Sequence, residues 1–150
     1  TSQYTLSLHD ALPISWDRDR RDSLRELIAR VNRVRRENPA LHNDWSLVFL
    51  PVDNDQLIAY TKRSEDGTNA VLVVVNLDPH HVQRGWIDIP LDELDMQPHQ
   101  PYQMHDLLSG ARYLWSGAHN YVELDPAILP AHVFRVRRRI RSERDFDYFL

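Results

Sequence analysis

A chain of 150 residues, 42% hydrophobic and 27% charged, has the make-up of one ordinary globular domain with at most one extra element. Its longest pure apolar run, residues 70–75, is too short to span a bilayer, and with no cysteine it forms neither disulfides nor thiolate metal sites. The net charge of −4 hides two arginine clusters, eight between Arg18 and Arg36 and six between Arg135 and Arg144, but interleaved or following acids (Asp17, Asp19, Asp22, Glu26, Glu37; Glu143, Asp145, Asp147) mark solvated, ion-paired faces, so neither a nucleic acid nor a membrane is expected as partner.

In chain order, residues 1–15 come first. The run Tyr4-Thr5-Leu6-Ser7-Leu8-His9-Asp10-Ala11-Leu12-Pro13-Ile14 matches, codon by codon, the in-frame translation of a common sequencing-library adapter end. It lacks the basic start and continuous apolar core of a signal peptide, and it is expected to be non-native and to carry no function. Residues 23–38 are expected to form a helix. Leu24, Leu27, Ile28, Val31 and Val34 recur at steps of three and four and make one stripe, Ser23 with Glu26 is a capping-box pattern, and Asn38-Pro39 ends the helix. Arg25, Arg30, Arg33 and Arg36 project from its other faces. A single amphipathic helix needs a partner surface for such a stripe.

After Pro39 the pattern shortens into β-type segments. Residues 47–52 and 56–62 flank the turn Asp53-Asn54-Asp55, and residues 65–69 make another turn. Residues 70–77, apolar but for Asn76, predict a central strand covered on both faces, with Val71, Val73 and Val75 facing one layer and Leu72 and Val74 the other. Trp86, Ile87 and Ile89 belong to a strand ending at Pro90. Tyr102, Met104 and Asp106 alternate on one face of the next, and Leu107-Leu108-Ser109-Gly110 is a turn. Residues 113–115, 121–124 and 132–136 supply three more strands. Eight short strands with regular turns predict a mainly β chain, an antiparallel β-sandwich preceded by one amphipathic α-helix lying outside it. The acidic-aromatic residues 140–150 form a tail.

A helix feeding directly into a sandwich is the order of parts at the end of a (β/α)8 barrel enzyme with a C-terminal β domain. Six pieces in order carry a family resemblance. They are Trp16-Asp17-Arg18-Asp19-Arg20; Leu27-Ile28-Ala29-Arg30-Val31-Asn32 with Arg36-Glu37-Asn38-Pro39-Ala40-Leu41; Asp53-Asn54-Asp55-Gln56-Leu57-Ile58-Ala59-Tyr60; Val73-Val74-Val75-Asn76-Leu77-Asp78-Pro79-His80-His81; His105-Asp106-Leu107-Leu108-Ser109-Gly110-Ala111-Arg112-Tyr113; and Asn120-Tyr121-Val122-Glu123-Leu124 with Pro130-Ala131-His132-Val133-Phe134. From Trp16 to about Arg139 the chain resembles the α-amylase superfamily (glycoside hydrolase family 13 type), and within it the bacterial α-1,4-glucan:maltose-1-phosphate maltosyltransferase family. The resemblance implies a C-terminal fragment: residues 16–41 the remnant of the catalytic barrel with its last helix, residues 42–139 the sandwich. It implies a cytoplasmic parent enzyme, a homodimer, that transfers maltosyl units from α-maltose 1-phosphate to α-1,4-glucans in glycogen or α-glucan biosynthesis. Transfer would be retaining, through a carboxylate nucleophile and a second carboxyl as acid/base. Those groups lie upstream of the last helix in the family. So does a donor-contacting Lys-Tyr pair, at whose place this chain has the adapter-like run.

No catalytic, cofactor-binding or metal-ligating residue is therefore assigned, and no cofactor is expected. Local constellations have blander readings. Asp53 with Asp55 and Asp92 with Glu93 are carboxylate pairs in turns. His80-His81 is half a metal site, but neighbours on a strand point to opposite faces. His105-Asp106 suggests an oriented base, with a strand-end hydrogen bond as the alternative. Trp45, Trp86, Tyr113, Trp115 and Tyr121 could stack on sugars. Of these, Trp86 and Tyr113 are expected to point into the core, and Trp115, beside Ser116-Gly117, is expected to be exposed. Two alternatives stand beside the maltosyltransferase reading: a self-standing carbohydrate-binding module, and the tail of another α-amylase-type hydrolase.

Overall fold

The computed structural model describes residues 23–137, so the adapter-like residues 1–15, the Trp16–Arg20 motif and the tail at 140–150 lie outside the described residues. The first element is helix α1, Arg25–Glu37, followed by a 3-10 turn over Pro39–His42. Its N-terminus departs from the expected capping box. Leu24 is the cap residue, and Ser23 Oγ makes only a long contact, 3.4 Å, with the Arg25 amide. Of the apolar stripe only Val34 is buried; Leu24, Ile28 and Val31 are exposed. Arg30 is exposed as expected, and its guanidinium also donates to the Leu108 carbonyl, in the turn at residues 107–109.

Eight strands follow: β1 Val48–Leu50, β2 Leu57–Arg63, β3 Ala70–Asn76, β4 Gln83–Asp88, β5 Tyr102–Asp106, β6 Arg112–Trp115, β7 His119–Leu124 and β8 Ala131–Arg137. All pairings are antiparallel. Six strands form one sheet in the order β1-β2-β3-β8-β5-β6, and β4 with β7 forms a second. The two layers enclose the main core, to which Leu72, Val74 and Phe134 contribute from the large sheet and Ile87, Val122 and Leu124 from the small one. Ile89, Leu91, Leu94 and Met96, from the segment after β4, close the rest of that layer. Burying side chains of this size contributes about 1.5–3 kcal/mol each.

Strand β3 behaves as its apolar run requires. Ala70, Leu72 and Val74 face the main core, while Val71 and Val73 face a second cluster with Ala40, partly lined by Leu41, Tyr60, Val75 and Val133. Both faces are covered, the inner by the small sheet and the outer by the chain leaving α1. The helix is thus outside the sandwich, and it is anchored by amides. Asn38 Nδ2 donates to the Val34 carbonyl (2.8 Å), Asn69 Nδ2 to Asn38 Oδ1 (3.1 Å), and the Ala40 amide to Asn69 Oδ1 (3.1 Å). Asn38 and Asn69 are both buried, so each bond replaces water that neither side chain can reach.

The β1–β2 turn joins the two layers. Val52 bridges Ile87, the Trp86 amide donates to Asp53 Oδ1 (2.6 Å), and Asn54 Nδ2 donates to the Arg84 carbonyl (2.7 Å). This approach needs the small residue on β4. A Cβ built on Gly85 would lie 2.9 Å from Asp53 Oδ1, 3.0 Å from Leu57 Cδ1 and 3.3 Å from Asn54 Cβ. Gly85→Ala is expected to lower stability by about 1–3 kcal/mol through this overpacking. Urea denaturation would measure it, and an unchanged midpoint would contradict the tight corner. At the same end of the strands Asn76, paired with Leu57, donates through Nδ2 to the carbonyls of His81 (3.0 Å) and Leu124 (3.1 Å), tying β3 to β7.

Candidate functional site: an aromatic face and cleft on the small sheet

Alternation along β4 and β7 decides which side chains reach solvent. Gly85 and Ile87 on β4, and Asn120, Val122 and Leu124 on β7, point inward. The residues between them therefore point away from the core. The pairing Arg84↔Glu123, Trp86↔Tyr121 and Asp88↔His119 sets these six outward residues in three cross-strand rows. In the middle row the Trp86 and Tyr121 rings meet edge to face, with centroids 5.5 Å apart. Trp86 is also stacked nearly parallel on His119, at 4.7 Å and 2°. Each outer row is an ion pair or hydrogen-bonded pair: Arg84 Nε to Glu123 Oε2 at 3.1 Å, and His119 Nδ1 to Asp88 Oδ1 at 2.7 Å. Tyr121 Oη donates to Glu123 Oε2 (3.2 Å), and its own ionisation is shifted up, by desolvation first and then by that carboxylate.

Two strands do not cover six, and beside Tyr121 a cleft of about 360 Å³ opens between the layers. Tyr113 and Trp115 from β6, Tyr121 to Glu123 from β7, and His132 and Phe134 from β8 line it. Phe134 is its floor, with Tyr113 and Trp115 edge-on at 5.8 and 5.3 Å and His132 stacked at 4.9 Å.

His132 is fixed from behind by Asp106. The Asp106 side chain is fully buried, at 0% exposure, and every one of its acceptor directions is used. Oδ1 accepts the amides of Leu108 (3.1 Å) and Val133 (3.2 Å). Oδ2 accepts His132 Nδ1 (2.9 Å), the Ser109 amide (3.2 Å) and Ser109 Oγ. Burial pushes the carboxyl up, but the bonds from His132, Ser109 and the Leu108 amide outweigh it and hold the group down at about 2. Serine and histidine both donate to the same carboxylate, and Ser109 donates to Asp106 rather than to His132. The trio is therefore a structural clamp and lacks the serine-to-base hydrogen bond of a nucleophile.

The sequence candidates fall out as follows. Asp106 does orient a histidine, but that partner is His132, 26 residues away on β8, and not His105. Adjacent strand residues point oppositely, which places His105 across from Arg112 and Arg135. Partial burial first, then Arg112 and Arg137, depress its protonation. His80 and His81 sit in a turn built on Asp78, whose Oδ1 accepts both backbone amides (2.9 and 3.2 Å) while Oδ2 accepts His81 Nδ1 (2.8 Å). Their rings are 6.4 Å apart and nearly perpendicular. Among the described residues no three His, Asp or Glu side chains are arranged to hold a metal ion, and no helix is long and apolar enough to cross a membrane. Asp53 serves the Trp86 amide, and the Asp92 carbonyl accepts the Asp95 amide in its turn.

The aromatics need the largest correction. Trp86 points away from the core and is 43% exposed, whereas Tyr113, opposite Met104, does face the inner side of the large sheet but lies over Phe134 at the open cleft, where it stays 41% exposed. Ile87 takes the inward register on β4, which forces Trp86 out. Trp115, expected to be exposed, is instead partly buried against the main core. Trp45 lines a separate cleft with Lys62 and Glu93. His119, His132 and Glu123 belong to the site and carried no signal of their own in the sequence beyond the alternation of their strands.

An antiparallel sandwich with a helix docked outside its large sheet is the architecture of an amylase-type C-terminal domain. The family model described as "GLGE, C-terminal" matches residues 49–136, from β1 to the end of β8. The alpha-1,4-glucan:maltose-1-phosphate maltosyltransferase of Myxococcus xanthus is 41% identical over 136 residues, 91% of this chain and 20% of that protein. The Streptomyces coelicolor alpha-1,4-glucan:maltose-1-phosphate maltosyltransferase 2 is 46% identical over 128 residues, 84% of this chain and 19% of that protein. The chain belongs to the GLGE C-terminal family, and it spans about a fifth of the length of these curated relatives.

Proposed function

We propose that this chain is the C-terminal β-sandwich, with the last barrel helix, of a cytoplasmic maltosyltransferase that transfers maltosyl units from α-maltose 1-phosphate to α-1,4-glucans with retention at the anomeric carbon. In this reading the parent enzyme serves α-glucan biosynthesis as a homodimer, and the sandwich supplies packing rather than catalysis. The observation that carries it is the family match running through all eight strands, joined by relatives that share one printed name. The exposed stripe of Leu24, Ile28 and Val31 supports it too, since a helix with that face uncovered fits against a further layer.

Phosphate release from α-maltose 1-phosphate in the presence of maltoheptaose tests the reading. The 150-residue chain alone is expected to release none above background. The same sandwich joined to the barrel of a relative is expected to be active. Release by the chain alone would contradict the non-catalytic role, and an inactive but folded fusion would contradict the assignment to this enzyme.

A further inference from the structure

We infer that the outward face of β4 and β7, continued by the cleft beside Tyr121, is a binding surface for a linear α-1,4-glucan chain. The inference rests on the proposed function for the choice of glucan; the site itself rests on geometry. Three observations carry it. Trp86 and Tyr121 stand at the centre of the face, 43% and 45% exposed, and Trp86 is stacked flat on His119. Ordered, flat apolar rings take up the C–H faces of sugars at little entropic cost. Around them the charged groups are already matched, Arg84 with Glu123 and Asp88 with His119, in rows on either side. A face whose charges are internally compensated does not select a charged partner. It presents planar donors and acceptors in pairs, which suits the adjacent hydroxyls of a neutral polyol. Finally, Tyr121 is shared between this face and the cleft lined by Tyr113, Trp115 and His132, so the aromatic track continues beyond one ring. The outward face of β4 and β7 lies across the core from the 3-10 turn that follows α1.

Isothermal titration of the 150-residue chain with maltoheptaose tests the site, with cellohexaose as the β-linked comparison. Saturable binding of maltoheptaose and weaker binding of cellohexaose are expected. Trp86→Ala and Tyr121→Ala should each weaken it by about tenfold, with circular dichroism unchanged because both side chains are exposed. Trp45→Ala, in its separate cleft, should leave affinity as it was. Absence of saturable binding, or binding that ignores both substitutions, would overturn the inference. So would self-association of the chain in sedimentation that Trp86→Ala abolishes without any glucan affinity, since the face would then be an interface between copies. The transfer assay is independent. A chain that supports transfer in the fusion but fails to bind maltoheptaose removes this site and leaves the proposed function standing; binding without transfer does the reverse.

Discussion

Asp106→Ala is expected to destabilise the domain by about 3–5 kcal/mol, as removal of one partner from a fully buried charged network does. The alanine would leave the His132 ring and the amides of Leu108, Ser109 and Val133 without their acceptor at a point where the Asp106 side chain is itself inaccessible to water. Asp106→Asn keeps one acceptor oxygen and is expected to cost less. It also carries the pH test. The folded-state carboxyl is held down at about 2, below the unfolded value near ~3.9. A group depressed on folding contributes its full stability above the unfolded value and loses it as pH falls through the folded one. Wild type should therefore lose stability relative to Asp106→Asn between about pH 4 and pH 2. Asp78, also held at about 2 by the His80 amide and its other donors against burial, titrates in the same window. It is common to both proteins and cancels in the difference. Urea midpoints at stepped pH would measure this, and parallel curves would show that Asp106 is not the clamp described.

Phe134→Ala should have a comparable effect, about 3–5 kcal/mol, because the ring is nearly inaccessible and sits where the large sheet meets the cleft. Tyr113, Trp115 and His132 all rest on that ring, so its loss should also loosen the cleft wall. The near-ultraviolet circular dichroism of the aromatic side chains should weaken while the far-ultraviolet spectrum, which reports the strands, is retained. A midpoint shift below about 1 kcal/mol would mean that the surrounding side chains collapse into the space.

The parts of the fold legible in the sequence were those where burial leaves a period. Residues 70–75 are apolar at every position because both faces of β3 are covered, and Tyr102, Met104 and Asp106 alternate because one face of β5 is. The site was harder to read for the same reason. A period of two says that Trp86 and Ile87 face oppositely but not which one faces the core. The sequence expectation places the tryptophan inward, yet Gly85, Ile87 and Ile89 form the continuous inward row. The histidine held by Asp106 was hidden because its strand lies beside β5 only through the sheet order, and proximity along the chain pointed to His105 instead. At the helix start a local pattern, Ser23 with Glu26, yielded to a frame shifted by one residue.

The buried amide pair at the end of α1 bears on how such a domain can be exchanged between proteins. Asn38 is the residue that caps the end of α1 and Asn69 lies in the turn between β2 and β3, yet each satisfies the other. A recombination junction drawn at Pro39, just past the end of α1, would pair an inherited asparagine with whatever residue the new host supplies. The unit that travels intact begins before the helix, and the heritable module is longer than the sandwich.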